Sequence, residues 1–279
     1  MEESFAPRFA VLGHPERLAI FRLLLRRHPS RVSAGEIAVA RGLKASTLSS
    51  YLGALMQAGL VTQMRAGTSL QYSVDLTAIR ATLDFLVLDC CLGRPDLFPA
   101  GPLNVLEGCP RMPDTPYNVL FICTGNSARS IFAEALLRDE GGGRFAAHSA
   151  GTKPYSELNP FALEVLHDKG HDTAPLRAKN IAEFQGPEAP KLDFVFTVCD
   201  RAANEECPAW DGQPISAHWG MPDPVKAGGT VAEQSLAFQH AYGALRNRIR
   251  AFAALPFETL DRIGLQRAVD DIARDTAPA

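Results

Sequence analysis

The feature that most constrains the fold of this chain is an apolar strand that leads directly into a helix, with a cysteine and an arginine at the turn. Residues 119–122 form a continuous apolar run, which is typical of a strand buried on both faces of a parallel sheet. A helical pattern begins near Ala128. Cys123 closes the strand, and Arg129 stands at the start of the helix.

Such a turn directs unpaired backbone N–H groups into the positive end of a helix dipole, so it predicts a site for a tetrahedral oxyanion. The candidate oxyanion-binding residues are Thr124, Gly125, Asn126, Ser127, Ala128 and Arg129. The same surroundings predict that Cys123 is a thiolate with a lowered pKa, and that Ser130 donates its hydroxyl to the sulfur. The alternative is a buried structural cysteine near a surface arginine, which the position of both residues at the turn disfavours.

Residues 117–255 resemble the low-molecular-weight tyrosine phosphatase fold, and more closely its arsenate reductase branch. The resemblance rests on the segment from Cys123 to Ser130, on His148-Ser-Ala-Gly151, on Cys199 with Cys207, and on Pro222-Asp223-Pro224. It implies that Cys123 attacks arsenate and that Asp223 is the general acid. It also implies a relay in which Cys199 and then Cys207 carry the oxidation away as a disulfide, with thioredoxin as the reductant.

The residues on their own leave other interpretations open. Asp223 between two prolines fits a surface turn, and Cys199 with Cys207 fits two unrelated thiols or half of a metal site. A phosphatase needs only the first of the three cysteines, which favours arsenate reduction.

Further predicted strands and helices follow the anion loop. The strands cover residues 145–150, 191–198 and 215–219, and the helices cover residues 160–169 and 231–255. Strands that alternate with helices predict an α/β domain with a four-stranded parallel sheet, assigned here to residues 117–256. Ligands bind at the carboxyl ends of such strands, where Cys123 and Cys199 fall. Residues 257–279 are expected to form a C-terminal tail.

Length and composition predict a cytoplasmic protein with two domains and no membrane partner. The chain has 279 residues, of which 46% are hydrophobic. It contains no apolar run of membrane-spanning length, and its N-terminus lacks the pattern of a signal peptide. In the cytoplasm the six cysteines are expected to be catalytic, metalloid-binding or redox-active rather than a disulfide framework. No tightly bound cofactor is expected.

The first hundred residues predict a mainly α-helical winged helix-turn-helix domain, assigned to residues 1–97. Ser33-Ala-Gly-Glu36 is a capping-box pattern that opens a helix ended by Gly42, and a second helix follows from about Ala45. Two short helices around a glycine-containing turn are typical of a helix-turn-helix. Residues 60–64 and 70–74 predict the hairpin that forms the wing.

Small hydroxyl and basic side chains on the second helix and the wing suit contacts to phosphates and base edges in a major groove. The candidate DNA-binding residues are Lys44, Ser46, Thr47, Ser49, Ser50 and Arg65. Residues 1–100 carry 11 basic and 8 acidic side chains, a net charge of +3, whereas the rest of the chain carries −6. A solvated helix face is the alternative, since this geometry also occurs in proteins that bind no DNA.

Residues 12–20, 45–52 and 57–61 resemble the ArsR family of metalloregulatory repressors. The resemblance implies a homodimer that binds operator DNA and releases it when a metal or metalloid binds. Cys90 and Cys91 end a third helical stretch. Soft thiolates suit trivalent arsenic, so Cys90 and Cys91, with Cys109 as the nearest further thiol, form a candidate arsenite site. Two buried cysteines in a dimer seam are the alternative.

A proline-rich stretch at residues 98–116 separates the two halves and predicts a semi-rigid linker. The chain is therefore predicted to fuse a repressor with a reductase whose product, arsenite, is the expected inducer. One rival is a low-molecular-weight tyrosine phosphatase fused to a DNA-binding domain, which an aromatic residue after Pro224 would favour, but Val225 follows. The other rival is a purely regulatory oxyanion or redox sensor.

Overall fold

The computed structural model describes residues 2–92, 115–205, 210 and 212–275. The chain divides into two units at residues 105–106, inside the predicted linker. Cys109 and Cys207 lie outside the described residues, as does most of that linker. Within the described part of the chain, no helix combines the length and the apolar character needed to cross a membrane.

Helices and one small antiparallel sheet form the N-terminal unit. Its elements are α1 (Glu2–Leu12), α2 (Pro15–Arg26), β1 (Val32–Ser33), α3 (Ala34–Arg41), α4 (Ala45–Gln57), β2 (Val61–Ala66), β3 (Ser69–Val74) and α5 (Leu76–Asp84). The sheet order is β1-β3-β2, so the predicted wing hairpin gains a short third strand that the sequence did not indicate. Helix α1 was also not predicted.

The predicted helix-turn-helix is present as α3 and α4. The Ser33 hydroxyl accepts a hydrogen bond from the Glu36 N–H at 3.2 Å, which caps the start of α3. Gly42 ends α3 in the left-handed region, with φ of 63°. The helices pack through side chains that are at most 2% exposed, namely Ile20, Leu23, Leu24, Ile37, Leu48, Leu52 and Leu55. Burial of these side chains fixes the relative orientation of α2, α3 and α4.

The C-terminal unit is an α/β domain. Its elements are β4 (Tyr117–Cys123), α6 (Arg129–Glu140), β5 (Phe145–Gly151), α7 (Pro160–Asp168), β6 (Phe194–Thr197), α8 (Asp200–Asn204), β7 (Ile215–His218), α9 (Val231–Ala253) and α10 (Arg262–Asp275). The strands form one four-stranded parallel sheet in the order β5-β4-β6-β7. This arrangement confirms the predicted fold class.

The register of the sheet brings the predicted active-site cysteines to one edge. Ile122 of β4 pairs with Thr197 of β6, so Cys123 and Cys199 both lie at the carboxyl ends of adjacent strands.

The predicted tail forms α10, where Leu265 and Val269 are fully buried. The Val269 carbonyl accepts a hydrogen bond from the buried Trp219 indole at 3.1 Å. The tail therefore contributes to the core of the C-terminal unit.

Candidate active site and nucleic-acid interface

The Cys123 sulfur lies at the bottom of the loop between β4 and α6. Cys123 is 3% exposed, because its strand is central in the sheet. Its Sγ is 2.9 Å from the Ser130 hydroxyl, and it accepts a hydrogen bond from the Asn126 backbone N–H at 3.1 Å. The loop therefore curls around the sulfur, as an oxyanion loop must do.

Asn126 holds this loop in shape. It is fully buried and adopts a left-handed backbone with φ of 45°, which a residue other than glycine rarely adopts. Its side-chain amide donates to the hydroxyls of Ser130 at 2.9 Å and Ser149 at 2.8 Å. Its side-chain oxygen accepts from the Lys179 backbone N–H at 2.6 Å. These contacts compensate for the unfavourable backbone conformation.

A buried ion pair supports the loop from below. Lys179 Nζ lies 2.9 Å from Glu134 Oε2, each residue is 8% exposed, and the Ser149 hydroxyl donates to Glu134. Neither Lys179 nor Glu134 was predicted from the sequence. The sequence could have indicated a buried role for Glu134, since it is the one charged residue in the apolar stretch 131–137. No sequence pattern indicates such a role for Lys179, because its partner lies 45 positions away in the sequence.

The pKa of the Cys123 thiol lies above its ordinary value in this structure. Burial is the largest cause, since it removes the thiolate from water, and the charge of Cys199 adds to it. The Ser130 hydrogen bond, the Arg129 charge and the Asn126 N–H act in the opposite direction but do not outweigh burial. The prediction of a lowered pKa considered only these donors, and it is wrong for this structure.

Two substitutions should move the pKa of Cys123 in opposite directions. Ser130→Ala should raise it further, because the variant loses a hydrogen bond to the thiolate. Cys199→Ser should lower it, because the variant loses a neighbouring charge. The pH dependence of Cys123 alkylation by iodoacetamide, followed by peptide mass spectrometry, measures both shifts. Profiles that shift in the same direction would contradict this account of the electrostatics.

Arg129 and Asp223 are in direct contact at the mouth of the loop. Arg129 Nη2 lies 2.9 Å from Asp223 Oδ2, and Arg129 Nη1 donates to the Met221 carbonyl at 3.2 Å. The structure therefore brings the loop arginine together with the aspartate that lies 94 positions later in the sequence. Both donors of the Arg129 fork are thus paired, one with Met221 and one with Asp223, and the Arg129 charge acts on Cys123.

Cys199 is the second thiol near this loop. It is 1% exposed and caps α8, where its Sγ accepts from the Ala202 N–H at 3.4 Å. The same sulfur lies 3.4 Å from the Thr124 hydroxyl, and its charge affects the titration of Cys123. Cys123 and Cys199 are both outside any disulfide. The second thiol therefore lies beside the first residue of the loop that follows Cys123.

The candidate DNA-binding residues lie on the surface of the N-terminal unit. Most of their side chains are exposed, and Thr47 is half-buried; the exposed ones are Lys44, Ser46, Ser49, Ser50 and Arg65. Five of the six belong to α4 or its N-terminal boundary, and Arg65 belongs to the wing strand β2. The arrangement gives one helix and one hairpin that can contact a duplex.

Cys90 and Cys91 follow α5, at the end of a π-helical turn that covers Phe85–Cys90. Cys90 is exposed and Cys91 is half-buried. Among the residues that the structure describes, no cluster of three histidine, cysteine or acidic side chains suits a metal ion. The described part of the candidate arsenite site therefore provides two thiols.

Comparisons with known proteins match both halves of the chain. Residues 118–264 match the low molecular weight phosphotyrosine protein phosphatase family, and residues 18–65 match the IclR helix-turn-helix domain. An arsenate reductase of Halalkalibacterium halodurans is 33% identical over 135 residues, which cover 48% of this chain and 94% of that protein. These matches confirm the predicted combination of a helix-turn-helix domain with an arsenate-reductase-like domain.

Two solved structures are also similar to parts of the chain. One is an arsenate reductase in its reduced state, with 25% identity and a TM-score of 0.41 over 50% of this chain and 97% of that chain. The other is a homodimeric winged helix-turn-helix domain from Mycobacterium bovis, a possible ArsR-family regulator. It shows 29% identity and a TM-score of 0.27 over 31% of this chain and 78% of that chain.

Proposed function

The chain belongs to the low molecular weight phosphotyrosine protein phosphatase family, and from that premise we propose that it is an arsenic-resistance protein that joins an arsenate reductase to an arsenite-responsive repressor. The observation that carries this proposal is the second buried thiol, Cys199, beside the loop of Cys123. A phosphatase needs one nucleophilic sulfur. Arsenate reduction needs a further thiol that takes up the oxidation.

The first step is attack on arsenate. Arsenate has the shape and charge of phosphate, so the N–H groups of residues 124–128 and the Arg129 fork hold its oxygens. These oxygens replace Asp223 as the partner of Arg129. The Cys123 thiol, whose pKa is raised by burial, passes its proton to a bound arsenate oxygen, and the resulting thiolate attacks arsenic and forms a sulfur–arsenic bond. Asp223 protonates the departing oxygen, which leaves as water.

The second step moves two electrons to arsenic. The Cys199 thiolate attacks Cys123 Sγ, the sulfur–sulfur bond forms, and the sulfur–arsenic bond breaks. The electron pair of the broken bond stays on arsenic, which is reduced from the +5 to the +3 state and leaves as arsenite. The Ala202 N–H and the Thr124 hydroxyl each lie 3.4 Å from Cys199 Sγ, so these two contacts hold the attacking sulfur beside the loop.

The third step regenerates the nucleophile. Cys207 attacks Cys199 Sγ, which releases Cys123 as a thiolate and leaves a Cys199–Cys207 disulfide. An external dithiol, for which we propose thioredoxin, then reduces that disulfide. The role of Cys207 rests on the sequence resemblance.

The N-terminal unit provides the regulatory half of the proposal. As a homodimer it binds operator DNA through Lys44, Ser46, Thr47, Ser49, Ser50 and Arg65. Arsenite binds Cys90 and Cys91, with Cys109 as the third sulfur, and DNA is released. The exposure of Cys90 supports access of arsenite from solvent.

The reductase activity is tested by following thioredoxin oxidation in the presence of arsenate, beside hydrolysis of p-nitrophenyl phosphate by the same preparation. We expect thioredoxin to be consumed in proportion to arsenate. Hydrolysis without arsenate-dependent thioredoxin oxidation would identify a phosphatase instead. The absence of both activities would favour a purely regulatory oxyanion or redox sensor.

Fusion of the two halves should raise the local concentration of arsenite at the repressor. We expect arsenate plus reductant to release operator DNA faster from the intact chain than from an equimolar mixture of the two separated domains. Fluorescence anisotropy of a labelled operator measures this release. Equal rates would mean that arsenite escapes by diffusion before the tether has any effect, and that the fusion serves another purpose.

One observation supports phosphatase activity as a second candidate function. Tyr155 is 61% exposed and lies against the anion loop, since a Cβ added at Gly125 would stand 2.5 Å from its ring. An aromatic side chain at the rim of such a loop can pack on an aryl phosphate ester. Tyr155→Ala should therefore lower the hydrolysis of aryl phosphates more than it lowers arsenate turnover.

A further inference from the structure

His218, at the end of β7, connects α8, the helix that Cys199 caps, to the sheet. Its side chain is 1% exposed. Its Nδ1 is 2.8 Å from the Thr197 hydroxyl, and its Nε2 is 2.9 Å from Asp200 Oδ1. A carboxylate can only accept, so Nε2 donates to Asp200, and in the neutral ring Nδ1 accepts from Thr197. The two contacts fix both the tautomer and the orientation of the imidazole.

Asp200 is the first residue of α8 and directly follows Cys199. The hydrogen bond from His218 therefore holds the turn that aims the Cys199 sulfur at Thr124. A five-residue helix has few hydrogen bonds of its own to fix this direction. His218 adds a contact from outside the helix that helps to fix this direction.

The segment that carries Asp223 passes directly over this contact. A Cβ added at Gly220 would stand 2.3 Å from His218 Nε2 and 2.5 Å from Asp200 Oδ1, so only glycine allows the approach. The next residue, Met221, accepts a hydrogen bond from Arg129. The contact between His218 and Asp200 thus lies where α8 meets the segment that carries Asp223.

We propose that His218 is a positioning residue for the formation of the first disulfide. It holds Asp200, and through it the start of α8, so that Cys199 Sγ stays beside Thr124 at the loop of Cys123 while the sulfur–arsenic bond is in place. In that step the sulfur–sulfur bond forms, the sulfur–arsenic bond breaks, and the electron pair remains on arsenic. This inference rests on the relay of the proposed function and assigns one of its steps to a residue that touches neither arsenate nor Cys123.

The test compares two amides that each reproduce one ring nitrogen. His218→Gln places its amide nitrogen near the position of Nε2 and can still donate to Asp200. His218→Asn reaches only the position of Nδ1 and loses Asp200. Both are made in the full chain with Cys207→Ser, which stops the relay at the Cys123–Cys199 disulfide. Rapid mixing with arsenate, acid quench and peptide mass spectrometry then give the rate of that disulfide in a single turnover.

We expect His218→Asn to lower the maximal rate by about tenfold or more, since a misaligned attacking group loses rate steeply. His218→Gln should stay within about threefold of the parent protein. The arsenate concentration that gives half-maximal rate should not change, because the loop of Cys123 is not affected. Asp200→Ala should lower the maximal rate as His218→Asn does, and its matched control, Asp200→Asn, should stay near the parent rate. The Asp200 side chain is 54% exposed.

Equal rates for parent, His218→Asn and Asp200→Ala would overturn the positioning role and leave the relay intact. A rise in the half-saturating arsenate concentration, with no rescue by His218→Gln, would also overturn it, since that result indicates general damage to the fold. If the parent Cys207→Ser protein itself forms no Cys123–Cys199 disulfide with arsenate, the relay fails, and the positioning role fails with it.

Discussion

Replacement of Cys199 by serine should lower arsenate turnover by at least about 10³-fold, while the hydrolysis of an aryl phosphate persists. The reason is a difference in chemistry between the two reactions. Hydrolysis needs a nucleophile, an anion site and an acid, which Cys123, Arg129 and Asp223 provide. Reduction needs in addition a thiolate that attacks Cys123 Sγ, and a serine hydroxyl cannot form that bond. Steady-state oxidation of thioredoxin and release of p-nitrophenol measure the two rates.

Cys123→Ser is the control for this prediction, because it should abolish both reactions. Substitution of Cys91, a half-buried thiol of the N-terminal unit, should affect neither. The Cys199→Ser variant is expected to stop after attack on arsenic. Arsenate turnover that continues in that variant at the parent rate would contradict the relay, and a loss of both activities would show that the substitution disturbs the loop itself.

Replacement of Lys179 by methionine should destabilise the C-terminal unit by about 3–5 kcal/mol. Lys179 and Glu134 are both buried, so the substitution leaves the Glu134 carboxylate without its cation in a region that is largely shielded from water. The effect should extend to the active site, because Asn126 is bound to the Lys179 backbone N–H and to Ser149, which in turn is bound to Glu134, and a shift of residue 179 or Glu134 displaces these contacts. Urea unfolding followed by tryptophan fluorescence reports the change, since Trp219 is fully buried in this unit.

A double variant and a surface variant make this prediction specific. Glu134→Gln with Lys179→Met removes both charges and should recover most of the lost stability, since an unpaired buried charge is the main source of the loss. Lys153→Met breaks an ion pair at 3.8 Å to Glu205 on an exposed side chain, and should change stability by less than about 1 kcal/mol. Equal losses for Lys153→Met and Lys179→Met would mean that burial of the pair is irrelevant.

Local patterns were sufficient for most of the fold. The capping serine at position 33 and the terminating Gly42 predicted α3 to within a residue, because both act within one helical turn of their own backbone. The apolar run before Cys123 predicted a central strand, since a strand covered on both faces leaves no polar position. In contrast, α1 and β1 were missed, because a two-residue strand and a helix containing Pro7 have no clear periodicity.

The candidate site was predictable only where its residues share a short segment. Cys123, Asn126, Arg129 and Ser130 lie within eight positions, and the structure joins three of them through hydrogen bonds to one sulfur or to each other. Asp223 and Cys199 were identified by resemblance, and the structure brings both to the same edge of the sheet. His218 and Lys179 showed no pattern, because their partners are distant in sequence.

The sequence by itself determined the two-part organisation, the parallel sheet and the identity of the sulfur at its centre, since these follow from periodicity, prolines and the order of strand, loop and helix. Only the tertiary structure decided the direction in which the pKa of that sulfur is shifted and the contacts that support its loop. The pKa of Cys123 is raised because the surrounding strands remove it from water, and burial is a property of the packed domain. The sequence indicates which groups can donate hydrogen bonds to the thiolate, but it does not indicate how deeply the sulfur is buried.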